Sequence, residues 1–302
     1  MYKAGLAMKK HELNMFSSGH QFLETPRWHD GQLWASDFFA KKVLRFHPDG
    51  SAETVAEIAG APSGLGFLPD GSILVVSQAD NKVLQINDSG SITEYADFSA
   101  IAGGLGNDMV VTETGHAYAG NFGYAVGEED PKPTNLAHID PAGNVTRVDG
   151  DVTFPNGGAL TPDGKLLLAE TFAHRISAFD INDDGSLANH RVWAQLPETY
   201  HPDGIALDAA GGVWFGNAMT SDEDSGFYRV EEGGDITDKI AVEGAWAVAC
   251  AFGGPDLETL YMTCNATSLE DFFQGRSSAY IATATVGRCG ARTGGPTRQS
   301  VA

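Results

Sequence analysis

Cysteine and positive charge are both scarce in this chain. Its three cysteines, Cys250, Cys264 and Cys289, form no paired framework and no Cys-x-x-Cys motif. That excludes a disulfide scaffold and a thiolate metal ribbon, and a reduced, cytoplasmic setting is expected. Cys250 and Cys264 read as small buried apolar side chains. Nineteen Lys and Arg face forty Asp and Glu, a formal net charge of −21, which repels phosphate backbones and anionic bilayers and argues against nucleic-acid and membrane partners. No apolar run approaches the ~20 residues of a membrane span. The opening MYKAGLAMKKHELNM lacks the apolar core and cleavage site of a secretory signal. A Gly-x-Ser-x-Gly elbow, a phosphate-binding glycine loop and a convincing 3.6-residue periodicity are missing too, so serine-hydrolase, nucleotide and helical-bundle readings lack their residues.

What the chain has is repetition. The segments LETPRWHDGQLWASD, APSGLGFLPDGSILVVSQ, LGNDMVVTETGHAYAGN, FPNGGALTPDGKLLLAET and HPDGIALDAAGGVWFGN share one plan, and AWAVACAFGGPDLETLYMTC is a degenerate sixth. Aligned on Glu24, Ser63, Asn107, Asn156, Asp203 and Ala247, they recur about every 40–50 residues, a period of solenoids and propellers. Each unit reads as a strand, a turn of Asp-Gly or Ala-Gly type and a second strand, with two further strands in most units. The expected fold is all-β, a six-bladed β-propeller of four-stranded antiparallel blades. An open sheet edge invites aggregation, so the segment from about His11 to Ser18 is expected to supply the outer strand of the last blade. One domain over 1–290 and a loose polar tail over 291–302 complete this reading.

Strand order then locates a site. If the first-to-second-strand turns lie on one face, the residues opening each first strand lie on the other, together with the second-to-third-strand loops. Glu24, Asn107, Asn156 and Asp203 thus open the same channel from four blades, whereas Ser63 and Ala247 in the other two show that the position need not be polar for structural reasons. Two carboxylates and two carboxamides are hard oxygen donors, suited to calcium, magnesium or manganese more than to zinc.

The elements ETPRW, GND, FPNG, HPDGIALD and ACAFGGPDLETLYMT resemble those of the senescence-marker-protein/gluconolactonase family, also called regucalcin-like or luciferin-regenerating-enzyme-like, over about residues 20–290. The resemblance implies a six-bladed propeller with one divalent cation in the channel, and lactone hydrolysis. It implies metal ligation by Glu24, Asn156 and Asp203, with Asn107 facing the metal or the substrate. It further implies a dual role for Asp203, as ligand and as the group that accepts a proton from the attacking water.

The rim collects aromatic and apolar side chains: Phe38, Phe122, Tyr124, Met219, Trp246 and the Phe272-Phe273 pair, with Asn121 at the start of a long loop. Sugar-lactone hydrolases of the animal type carry an arginine two residues before the asparagine equated with Asn107, and this chain has Leu105. A strong donor to sugar hydroxyls is therefore missing, and an apolar-substituted lactone is the expected small-molecule partner. His174 and His201 read as rim residues. The other class of reading is a noncatalytic binding propeller with a structural metal.

Overall fold

The computed structural model describes residues 8–292. Six antiparallel sheets follow one another along the chain, each with its strands in sequential order. Blade 1 spans the strands from Leu23–His29 to Ala52–Glu57, blade 2 from Pro62–Phe67 to Ile92–Asp97, and blade 3 from Gly106–Val111 to Val145–Arg147. Blade 4 runs from Pro155–Leu160 to Leu187–Gln195, blade 5 from Pro202–Leu207 to Ile236–Ala241, and blade 6 holds Trp246–Gly253, Thr259–Ala266 and Ser278–Thr285. The first strand of each blade contacts the first strands of the blades before and after it, and that of blade 6 contacts that of blade 1. The ring is therefore closed about a central channel, as the repeats imply.

Closure comes from the N-terminal segment. Asn14–His20 pairs antiparallel with Ser278–Thr285 as the fourth strand of blade 6, so an N-terminal strand and the last strand share a sheet. A second attachment has no counterpart in the sequence reading: Lys9–Lys10 runs parallel to Ile236–Ala241 and gives blade 5 a fifth strand. His11 Nε2 lies 2.9 Å from Asp238 Oδ1, and Arg288 reaches the same oxygen at 3.1 Å. Apolar clusters fill the gaps between blades. Trp34, Val43, Ile58, Leu65 and Val75 join blades 1 and 2; Leu23, Leu33, Ala279 and Ile281 join blades 6 and 1. Inner strands such as Ile73–Ser77, Val213–Asn217 and Gly226–Val230 are buried along their whole length, because every blade is packed between two others.

One irregularity recurs six times. The pairing of first and second strands shifts between Glu24 and Arg27, Pro62 and Leu65, Gly106 and Met109, Pro155 and Gly158, Pro202 and Ile205, and Ala247 and Ala249. These are β-bulges, which bend the strand and re-aim the side chains they contain. The first strands also crowd the axis. A Cβ on Gly157 would lie 2.6 Å from Gly204 Cα, and one on Gly64 would lie 2.3 Å from Met109 N. Only glycine lets neighbouring backbones approach so closely.

Candidate active site

Ser63, Asn107, Asn156 and Asp203 sit inside these bulges and Glu24 flanks its own, which explains how a strand-opening side chain is turned toward the axis. The asparagines are held through their amide nitrogens and the carboxylates by the groups that donate to them. Asn107 Nδ2 donates to the Pro155 carbonyl at 3.0 Å. Asn156 Nδ2 donates to Thr171 Oγ1 at 3.2 Å, and that hydroxyl donates to the Pro202 carbonyl at 2.9 Å. Asn156 also hydrogen-bonds the Asp203 carboxylate, which the Gly204 N–H supports. The Ser63 hydroxyl donates to Glu24 Oε2 at 2.9 Å. With both amide nitrogens bound to carbonyl or hydroxyl oxygen, the Oδ1 atoms of Asn107 and Asn156 are left over, as is Glu24 Oε1. Ser63 is thus part of the arrangement, as a group that orients Glu24.

The electrostatics are unbalanced. Burial pushes the Glu24 carboxyl up to about 7; the Ser63 hydroxyl opposes the rise and the Asp108 charge adds to it. Asp203 is raised well above the usual carboxylate range, first by burial and then by the charges of Glu24 and Asp108. Asp108 is raised by burial as well, against the pull of Arg27. Three carboxylates therefore feel one another with a single guanidinium among them. Crowded carboxylates resist ionisation unless a cation compensates them. Two carboxylates plus two carboxamide oxygens fit a hard divalent cation in donor type. Among the described residues no three His, Cys, Asp or Glu side chains form a metal-holding group, so the two asparagines are needed to complete such a set.

Arg27 was not singled out by the sequence pattern, yet it occupies the channel. Its Nη2 donates to Asp108 Oδ1 and to the Met109 carbonyl, both at 3.0 Å, and its Nε donates to the Leu65 carbonyl at 3.2 Å. Blades 1 and 3 are not neighbours, so this ion pair reaches across the channel and forms a floor. Below it, at the opposite mouth, opens a cavity of about 1500 Å³ whose walls include Arg27, Leu65, Val110, Leu160, Ile205 and Phe252. Glu24, Asn107, Asn156 and Asp203 do not line that cavity, and the chemistry described above lies on the other side of the floor.

The expected rim divides into two aromatic groups. Phe38, Met219 and Trp246 gather with Phe22, Phe39 and Phe272; the Phe22 and Phe272 rings are 5.2 Å apart. On the other side Phe122 stacks on Phe154 at 4.6 Å, and Tyr124 and Phe172 pack beside Phe154. His201 meets both Phe172 and His174 edge-on, and His174 Nδ1 is 2.8 Å from the Tyr200 carbonyl oxygen. Leu105 is 45% exposed, with its carbonyl accepting from Phe122 N at 2.8 Å.

Asn121 is corrected by its surroundings. It is fully buried, its Oδ1 accepts from Gly103 N, Gly123 N and Thr134 Oγ1, and its Nδ2 donates to the Asn135 carbonyl. That side chain ties a loop together and presents no surface to a substrate. It belongs to a second repeated set, at the ends of the second strands: Asp37, Ser77, Asn121, Glu170, Asn217 and Asn265, all buried. Asp37 accepts from Phe22 N, Glu170 from Thr153 N, Asn217 from His201 N and Asn265 from Leu23 N. The signal was present in WASD, LVVS, YAGN, LLAE, WFGN and MTCN, each ending in a polar residue where a strand should stay apolar.

Comparison with known proteins finds relatives along most of the chain. Pentonolactonase XacC of Haloferax volcanii is 27% identical over 247 residues, 80% of each chain. A 6-deoxy-6-sulfogluconolactonase of Pseudomonas putida is 25% identical over 255 residues, 80% of this chain and 82% of the relative. The solved structure of a calcium-binding protein, regucalcin, from Agrobacterium tumefaciens superposes with a TM-score of 0.75 at 19% identity, covering 93% of this chain and 97% of the other. Residues 22–266 match the family described as SMP-30/Gluconolactonase/LRE-like region, and the chain belongs to that family.

Proposed function

We propose that this protein hydrolyses a lactone with the help of one divalent cation, most simply calcium, held by Glu24, Asn156 and Asp203 with Asn107 beside them. The observation that carries the reading is the set of carboxylate and carboxamide oxygens left over at the bulges, with too little positive charge around them. Family membership and the two lactonases at 25% and 27% identity support a lactone-hydrolysing enzyme. When bound, the cation supplies the positive charge that polarises a carbonyl and favours the oxyanion of ring opening. The chain's own residues do the rest. Asn107 and Asn156 are locked with their amide hydrogens turned into the protein, so that they present oxygen. Asp203 accepts the proton of the attacking water, held in place by Asn156 and the Gly204 N–H. The Arg27–Asp108 floor stops the substrate from passing deeper.

The substrate is a small lactone with an apolar substituent. Both named relatives take sugar-derived lactones, and the features that favour a different choice here are Leu105 and the two aromatic groups at the rim. An apolar pocket discriminates by about 1–3 kcal/mol per methylene-sized difference, whereas a missing hydrogen-bond donor costs a polyol more. The test is a panel read by proton release, corrected for spontaneous opening, in which an alkyl- or aryl-substituted lactone should exceed gluconolactone in kcat/KM. Leu105→Arg should narrow the difference. A preference for gluconolactone in the unaltered protein refutes the substrate assignment, and Asn156→Ala that turns over fully without metal refutes the mechanism.

A further inference from the structure

One aromatic side chain sits at the edge of the first aromatic group, in a T-shaped contact between Phe273 and Phe272 at 5.7 Å. Phe273 is 54% exposed, and the five-residue helix Leu269–Phe273 that carries it contributes no buried residue. Its neighbour Phe272 is anchored among Phe22, Phe38, Phe39 and Trp246. The far end of the Phe273 ring reaches Gly127: a Cβ placed on Gly127 would lie 3.1 Å from the ring's Cζ and 3.3 Å from its Cε1. Gly127 has φ of +84°, so an L side chain there is disfavoured by backbone as well as by space.

The partners come from opposite sides of the ring. Gly127 lies between the second and third strands of blade 3, and the helix lies between those of blade 6. In a closed ring of six, the third and sixth members face each other, and both loops stand on the face where Glu24 and Asp203 open the channel. A contact between them spans the mouth. Each loop is braced on its own. Ser268 Oγ accepts from Asp271 N at 3.1 Å and Arg276 Nε donates to Asp271 Oδ1 at 2.8 Å. Across the mouth, Glu128 N and Glu129 N both donate to the Ala125 carbonyl, and Ala125 N donates to Glu129 Oε2.

We propose that Phe273 and Gly127 form a roof over the channel mouth that limits the length of substituent a lactone substrate can carry, which makes Phe273 a specificity-determining residue. The inference rests on the lactone reading of the same site. Lactones with short alkyl groups fit beneath the roof, and those with long ones must displace the phenyl ring. Rings and chains are both apolar, so the discrimination is by size.

The experiment compares wild type and Phe273→Ala, cation-loaded, on γ-lactones bearing methyl, pentyl and octyl groups, and follows amide exchange at Glu128 and Glu129 in the same two proteins. The ratio of kcat/KM for the octyl over the methyl lactone should rise on the order of tenfold in the variant. Exchange at Glu128 and Glu129 should quicken on the order of fivefold, because a contact from the opposite blade has gone. An unchanged ratio in proteins that turn over the lactones overturns the specificity role. Unchanged exchange at both amides overturns the roof, whatever the kinetics. If neither protein opens any lactone, the functional reading and the specificity role fall together, and the exchange result alone decides whether the roof exists.

Discussion

Replacing Asp203 with asparagine should make the metal-free protein more stable while removing its activity. In the absence of a cation, Glu24, Asp203 and Asp108 share one enclosure with only Arg27 to offset them. The rise of Glu24 from 4.5 to about 7, at about 1.4 kcal/mol per pKa unit, bounds the cost of its charge at roughly 3 kcal/mol. Asp203 is raised too, by burial and by the same neighbours. Both folded values lie above the unfolded ones, so the stability these carboxyls contribute is fully present below the unfolded pKa, near 4, and is lost as pH rises through the folded values, about 7 for Glu24. The chelated wild type should therefore soften from about pH 4 to 8. Asp203→Asn keeps an acceptor for the Gly204 N–H and deletes one charge, so it should stabilise at pH 8; each kcal/mol gained raises Tm by about 1.5–2 °C for a chain of this size. Thermal unfolding in chelator at pH 8 and pH 5 measures it. The gain should shrink at pH 5, where the wild-type carboxyls already carry protons, and reverse in saturating cation, which stabilises only the protein that binds it. Loss of stability in chelator at pH 8, or an equal gain at both pH values, would refute the charge argument.

Other substitutions separate structural from chemical roles. Asn121→Ala should cost about 2–3 kcal/mol in urea unfolding, since it leaves buried N–H groups of the 103–123 region without an acceptor; a loss of lactone turnover at unchanged stability would return Asn121 to the substrate. Arg27→Met should destabilise by about 3 kcal/mol by stranding Asp108, with Arg27→Met/Asp108→Asn recovering most of it, as removal of both members of a buried pair does. Equal instability of single and double variants would contradict that coupling. Thr171→Val should lower cation affinity, because it frees the Asn156 amide to turn, and should cost about 1–3 kcal/mol in unfolding, because Asn156 Nδ2 and the Pro202 carbonyl lose a buried partner; second-sphere partners of this kind are worth about 10–100-fold in affinity, measured by calorimetric titration with calcium.

The blades and their closure could be read from the sequence because they rest on repeated local chemistry: a turn glycine, alternating apolar residues and a polar strand opener. The repeated strand-opening positions of Glu24, Asn107, Asn156 and Asp203 could be located for the same reason, and their role at a cation is a proposal. What could not be read depends on register and on distance across the ring. A bulge is one unpaired residue, and nothing in PSGLG or PNGGA states which side chain it turns inward. Asn121 and Asn107 look alike as repeated polar residues, and only hydrogen bonding separates the one that holds a loop from the one that faces the axis. Arg27 and Asp108 meet because their blades stand two places apart in a ring, and Phe273 meets Gly127 because theirs stand three apart. Lys9–Lys10 adds to blade 5 by backbone pairing alone, which leaves no mark in side-chain pattern.

The central claim, a lactone opened at a divalent cation bound by the bulge residues, is tested most directly by removing and restoring that cation. Protein stripped with chelator is returned to calcium in steps, and bound calcium per chain and lactone-dependent proton release are measured on the same samples. The account predicts loss of turnover on stripping and recovery in proportion to calcium, complete at one ion per chain, with neither binding nor recovery in Glu24→Ala. Full turnover by the stripped protein, or tight binding of one calcium without turnover of any lactone, would contradict it.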